Sequence, residues 1–417
     1  MGKEPDMMPF HYRHQELYCE EVALSHIVER CGTPLYVYSL TGILENYRCI
    51  DGAFAGQPHR ICYALKANAN PELLRRLASL GAGADVVSGG ELRQALQVGF
   101  PAEKIVFAGV GKTDEEIRLA LQHRILALNV ESREELHVIA SIAERMQVQA
   151  PIAVRINPDI DIEGHPYLTT GKSANKFGIS LAEARDAYLW AAACKSLRLV
   201  GVHCHIGSMI KKAEPYRRMA ETLAAFVADM KDQGIALEHI DLGGGIGVDY
   251  SQVLAEHGSP FYIDPVELAQ ELQPVLQATG CELIFEPGRS LVGPNGVLLT
   301  TVLYTKQTAG KKFIVVDAGM NDLIRPSLYG AHHEILPLQQ KTAVVETADV
   351  VGPICESGDF LAKERLLPIM KRGDRLAVMT AGAYGYVLSS QYNLRPRAAE
   401  VMVQDDGWQV VRERESL

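Results

Sequence analysis

Between Arg60 and Glu286 the chain alternates, eight times over, short apolar runs with stretches of helical period, and few folds accommodate that rhythm. The runs lie at Ile61–Ala64, Asp85–Val87, Ile105–Ala108, Ile125–Val130, Ile152–Ile156, Leu199–His203, Leu237–Leu242 and Glu282–Glu286. Between them stand patterns such as PELLRRLASL, GELRQALQVG, TDEEIRLALQ and SREELHVIASIAERM, each with an apolar stripe at helical spacing. Eight parallel strands can close on themselves and abolish exposed edges, with right-handed crossovers covering the outside. The expectation is a (β/α)8 TIM barrel, whose active residues gather at the carboxyl ends of the strands. A doubly wound open sheet competes, but it would usually want a Gly-rich strand-to-helix entry and fewer repeats.

Near Pro287 the texture changes. GVLLTTVLYTKQ, KKFIVVDAG, KTAVVETADVVG, RLAVMTAG, AEVMVQ and WQVVRE read as strands separated by turns such as AGK, KRGD and DDG. A mainly antiparallel β-barrel or sandwich domain follows. Upstream, Val22 to Cys31 reads as a short helix, LYVYS at 35–39 as a strand and 40–53 as a helix. That early strand has no place in the eightfold count, so residues 1–40 are expected to join the β domain at 291–417, leaving 41–290 as the barrel.

Composition narrows the class. The 417 residues carry 41 Lys and Arg against 51 Asp and Glu, a net charge of −10, with no Arg-rich run interleaved with aromatics. That argues against a nucleic-acid partner but leaves room for a local cationic pocket that takes a small anion. The eight cysteines are scattered without a CxxC pair, which suits reduced cytoplasmic thiols better than disulfides or a zinc site. No apolar stretch reaches 18 residues and the first twenty lack a signal-peptide core, so a soluble, cytoplasmic protein is expected.

The strand ends deliver Lys66, Asp85 to Ser88, Arg155 to Asn157, His203 to Ser208, Asp241 to Gly245 and Glu286 to Arg289. A lysine buried beside an apolar strand would lose charge and become available for a Schiff base, although most lysines snorkel or pair with a carboxylate. Gly243, Gly244 and Gly245 offer backbone N–H groups without Cβ obstruction, a nest for phosphate or simply a turn, and Ser208 adds a hydroxyl donor. His203 and His205 could bind zinc only with a third ligand such as Asp241 or Glu286, whereas an imidazole stacked on a heteroaromatic ring needs none. Glu286 could keep a pyridine nitrogen protonated. Farther on, CESGD at 355–359, AGAYGY at 381–386 and RPSLY at 325–329 bring a thiol, carboxylates, phenols and a guanidinium into loops of the β domain.

The motifs GTPLYVYS, YALKAN, GADVVSGGE, RINP, NKFG, HCHIGS, LGGG, EPGR, DAGMNDLIRPSLY, CESGD, GAYG and YNLRPRAAEV run in order over most of the chain. Together they resemble the diaminopimelate decarboxylases, within the pyridoxal-phosphate decarboxylases of alanine-racemase-like fold (fold type III). The resemblance implies decarboxylation of meso-2,6-diaminopimelate to L-lysine and CO2 through a pyridoxal-phosphate aldimine, the last step of lysine biosynthesis, by a head-to-tail homodimer with shared active sites. By position it makes Lys66 the Schiff-base lysine and His205 the stacked imidazole. Ser208, Gly243 to Gly245 and Tyr384 become phosphate contacts, and Glu286 the pyridine-nitrogen partner, with Asp85, Gly288 and Arg289 also beside the cofactor. Arg289, Arg325, Tyr329, Glu356 and Tyr384 become substrate contacts, and Cys355 a catalytic thiol supplied by the other subunit. No metal is implied. One departure is Met209, where relatives commonly carry Gln after HIGS.

Overall fold

The computed structural model describes residues 8–160, 176–341 and 344–416. Asn175 of the NKFG motif and most of the N-terminal decapeptide lie outside them. The chain separates into two compact units. One comprises Tyr47–Gly247 with Tyr262–Gly288, and the other comprises the N-terminal segment to Asn46, Val248–Phe261 and everything from Arg289.

The first unit is a closed eight-stranded barrel. Its strands are β1 (His59–Ala64), β2 (Gly83–Val86), β3 (Ile105–Phe107), β4 (Ala127–Val130), β5 (Ala150–Arg155), β6 (Leu197–His203), β7 (His239–Asp241) and β8 (Glu282–Phe285). All eight pair in parallel with their sequence neighbours, and β8 returns to β1 through Leu283 opposite His59. The eightfold rhythm therefore reads the barrel correctly.

Small capping residues end the strand-to-helix loops. Asn70 caps Pro71–Ser79, Ser88 caps Gly89–Val98, and Ser132 caps Arg133–Met146. Thr113 and Ser180 form full capping boxes with Glu116 and Glu183. Each side chain satisfies a backbone N–H that the first turn would otherwise leave without a partner. A core of Cys62, Val106, Ala127, Ala153, Val200 and Ile284 draws on six of the strands. Truncating Ile284 to Ala would cost about 2–5 kcal/mol. Gly201 in β6 makes room for a buried imidazole, since a Cβ there would lie 2.1 Å from His239 Nε2.

The second unit is built on a sheet in which Leu35–Ser39 lies between Gly296–Thr308 and Ala399–Gln404. Its odd residues Leu35 and Val37 join a core with Val297, Leu299, Val401 and Val403. Its even residues point the other way, where the buried Tyr38 hydroxyl donates to Glu400 Oε1 at 2.7 Å.

The sheet is mainly antiparallel, as expected, with two parallel pairings, Lys311–Val316 with Val345–Val351 and Leu35–Ser39 with Ala399–Gln404. Several local readings need correction. Phe360–Pro368 forms a long strand that the sequence reading passes over. RPSLY is a short helix, Arg325–Tyr329, rather than a loop. Val22 and Ala23 pair with Tyr18 and Cys19 as a strand, so the first helix starts at Leu24. No helix among the described residues is long and apolar enough to cross a membrane.

Candidate active site

In the barrel unit the singled-out residues converge at strand carboxyl ends. Lys66 follows β1 in a short 3-10 turn, and its Nζ donates to Asp85 Oδ2 at 2.9 Å, from the end of β2. The burial expected of the lysine falls on its partner: the lysine side chain is 40% exposed and that of Asp85 is 0% exposed. Burial, reinforced by the negative charge of Glu286, raises the Asp85 carboxyl, and Lys66 opposes the rise.

Behind this pair lies a fully buried group from three more strand ends. His203, Asp241 and Glu286 each place a ligand-type atom within 4.8 Å of the others. His203 Nε2 stands 3.6 Å from Glu286 Oε2. Burial works against ionised Glu286, yet His203 and Lys66 outweigh it and hold the carboxyl well below its usual range. Asp241 shifts the opposite way, driven up by burial and by the charge of Glu286. The two neighbouring carboxylates are thus shifted in opposite directions. The histidine that joins the carboxylates is His203 and not His205, so the His203–His205 pair considered for zinc does not share a ligand set.

His205 is placed differently. Its Nδ1 accepts the N–H of Gly244 at 3.2 Å, so the ring proton of the neutral form sits on Nε2. Burial, then the charges of Arg155 and Lys66, pull its pKa well below the ordinary histidine value. Arg155 itself is buried against Glu131, at 2.8 Å, and Glu131 also accepts the N–H of Gly178.

The three glycines are enforced by close packing. Gly243 (φ +64°) and Gly245 (φ +105°) adopt left-handed backbone, and a Cβ on Gly244 would lie 2.1 Å from Glu286 O, on Gly245 2.2 Å from Gly207 O. Two of their N–H groups are engaged within the barrel unit, that of Gly243 by Asp241 Oδ1 at 2.9 Å and that of Gly244 by His205 Nδ1.

The residues fit pyridoxal phosphate on two observations. The buried, ionised Glu286 has one oxygen, Oε1, with no hydrogen-bond partner among the described residues, the acceptor that a protonated ring nitrogen requires. Beside it, the glycine cradle excludes any Cβ.

The second unit holds a cluster the sequence reading only half found. Arg289 Nη1 donates to the Tyr250 hydroxyl at 2.7 Å, and its guanidinium lies 4.8 Å from the centre of the Tyr384 ring. Arg325 lies 4.9 Å over the Tyr250 ring and donates to His333 Nε2 at 2.9 Å. Both arginines, Tyr250 and His333 are buried. Burial alone would raise Tyr250, but the two guanidinium charges bring it below the ordinary phenol value. Tyr384 takes left-handed φ of 56° between two glycines that admit no Cβ. Tyr250 and His333 belong to no motif. Their only signals are position, shortly after the triple glycine and shortly after RPSLY.

CESGD is tied to RPSLY. Ser327 Oγ donates to Gly358 O at 2.5 Å, and Asp359 accepts the N–H groups of Met320 and Ile354, each at 2.7 Å. Cys355 and Glu356 are exposed.

Comparison with known proteins decides the family. Residues 40–293 match the pyridoxal-dependent decarboxylase, pyridoxal binding domain, model. The diaminopimelate decarboxylase of Aquifex aeolicus is 46% identical, the match covering 97% of this chain and 94% of that protein. That of Pseudomonas aeruginosa is 47% identical, over 99% and 97%. The chain belongs to the diaminopimelate decarboxylase family. Pyridoxal phosphate is accordingly its cofactor. A crystal structure of the family member from Helicobacter pylori, complexed with L-lysine, superposes with a TM-score of 0.89 at 42% identity, covering 94% of this chain and 96% of that one. The M. jannaschii member, in co-complex with L-lysine, gives 0.92 at 36%, over 99% and 96%.

Proposed function

We propose that this chain decarboxylates meso-2,6-diaminopimelate at its D centre, yielding L-lysine and CO2, as the closing step of lysine biosynthesis. The observation that carries the reading is the 46–47% identity, over 97–99% of the chain, to relatives of that name. Identity on that scale spans the barrel motifs and the motifs of the β unit alike.

Bound pyridoxal phosphate supplies a protonated pyridine ring that takes up the electron pair left when CO2 departs. The chain's own residues then have separable tasks. Lys66 is the amine that would hold the cofactor through its aldehyde, and Asp85 keeps that amine in place. Ser208, Gly243, Gly244, Gly245 and Tyr384 hold the phosphate, with Gly288 and Arg289 alongside. His205 offers a flat neutral ring for stacking, so it adds no second positive charge near the electron sink. Glu286, ionised, accepts the ring-nitrogen proton and keeps it there.

The distal amino-carboxylate falls to Arg289, Arg325, Tyr329 and Glu356: guanidinium groups for the carboxylate, Glu356 for the ammonium. Cys355 or Lys66 returns a proton to the carbon that lost CO2. An exposed Cys355 suits a thiol that serves the partner subunit of a homodimer, and the setting of such an enzyme is the cytoplasm.

The test is parallel assay of lysine and CO2 release from meso-diaminopimelate, and of CO2 from L-ornithine, L-arginine and carboxynorspermidine. Strong preference for meso-diaminopimelate is expected. A yellow protein inert toward it but active on another amine would retain the cofactor and overturn the substrate.

A further inference from the structure

Two buried arginines repel each other, and each needs something to stop it turning toward other anions. One side chain touches both. The Tyr250 hydroxyl accepts from Arg289 at 2.7 Å, while the face of the same ring lies under Arg325 at 4.9 Å. Arg325 is held on a second side by His333, whose ring meets that of Tyr250 edge-on at 5.2 Å.

The tautomer of His333 follows from its other contact. Its Nδ1 lies 2.8 Å from the carbonyl of Met379, which can only accept, so Nδ1 carries the proton. Nε2 then has a lone pair and must be the acceptor for Arg325. A guanidinium has five N–H donors, so its bonds to His333 and to the Tyr250 hydroxyl still leave donors of Arg325 to meet a carboxylate.

We infer that Tyr250 and His333 are positioning residues for substrate specificity, locking Arg289 and Arg325 to receive the distal carboxylate that distinguishes an amino acid from a plain diamine. The inference rests on the decarboxylase reading above and adds the residues that select within it. Neither side chain needs to touch the reacting carbon. Both act through the arginines.

The experiment uses the pyridoxal-phosphate-loaded enzyme and two probes of equal chain length, L-lysine and 1,5-diaminopentane, which lacks the carboxylate. Tyr250→Phe keeps the ring and removes the acceptor for Arg289. His333→Asn keeps a donor near Met379 and withdraws the acceptor from Arg325. Calorimetric binding should show L-lysine weakened about 10- to 100-fold in each variant, the scale of a lost hydrogen bond to a charged group. Binding of 1,5-diaminopentane should stay within about twofold, because it makes no such bond. KM for meso-diaminopimelate should rise more than kcat falls, with the thermal unfolding of Tyr250→Phe unchanged. Equal weakening of both probes, or unchanged lysine binding in both variants, overturns the assignment. Failure of the unmutated enzyme to act on meso-diaminopimelate would instead strike the proposed function.

Discussion

The backbone N–H of Gly244 donates to Nδ1 of His205, at 3.2 Å, and this single contact determines which form of the imidazole the barrel unit contains. An Nδ1 that accepts cannot carry a proton, so the ring is neutral with its hydrogen on Nε2. Nitrogen NMR of selectively labelled protein should show that tautomer persisting below pH 6.5, the ordinary value from which His205 is lowered. The sign for stability follows: the unfolded chain binds the proton more readily, so the contribution is full above that value and is lost as pH falls. His205→Gln should therefore lose less stability between neutral and acid pH than the unmutated protein does, as read by urea unfolding. A charged His205 at pH 6 would refute this.

Lys66 and Asp85 predict a separation of fold from chemistry. Lys66→Ala should abolish the visible absorbance of the bound cofactor and reduce turnover on the order of a thousandfold or more. Lys66→Arg keeps a cation near Asp85 and should regain the unfolding temperature without regaining activity. An unchanged spectrum in Lys66→Ala would remove the lysine from its role.

Glu286 is buried and ionised, which is expensive unless the site uses the charge. Glu286→Gln should leave cofactor binding nearly intact while slowing decarboxylation about 100-fold, a magnitude typical of one misplaced proton partner. Spectrophotometric titration and steady-state rates measure the two effects separately. An unaffected kcat would end the assignment.

Cys355 tests the shared site. Neither Lys66→Ala nor Cys355→Ala should be active alone at the normal rate. After mixing and subunit exchange, about half the dimers are mixed and each of these carries one intact site, so roughly a quarter of full activity should return. Exchange demonstrated by mass spectrometry with no recovery would place Cys355 and Lys66 on the same subunit.

The barrel was legible because β-branched runs alternate with capped helices eight times over, the count at which parallel strands close a barrel. Its site was legible because a barrel must bring strand ends together, which is how Lys66, Asp85, His203 and Glu286 could be grouped before any contact was known. The β unit was harder to read. In Phe360–Pro368 the alternation is interrupted by Lys363, Glu364 and Arg365, and Glu364 has φ of 53°, so no period of two survives. RPSLY hid its helix because five residues are too few to show a helical period. Tyr250 and His333 were missed for a different reason: a residue that acts by holding an arginine has no motif of its own.

The strand Leu35–Ser39 pairs on one edge with Gly296–Thr308 and on the other with Ala399–Gln404. During synthesis this strand leaves the ribosome long before its second neighbour is made. All the barrel strands are complete before that neighbour exists, so an aromatic, β-branched strand must wait with an open edge while the rest of the chain emerges. The vulnerable interval for this protein is therefore its own translation, and a stop codon only a few residues before Ala399 would leave that edge bare permanently.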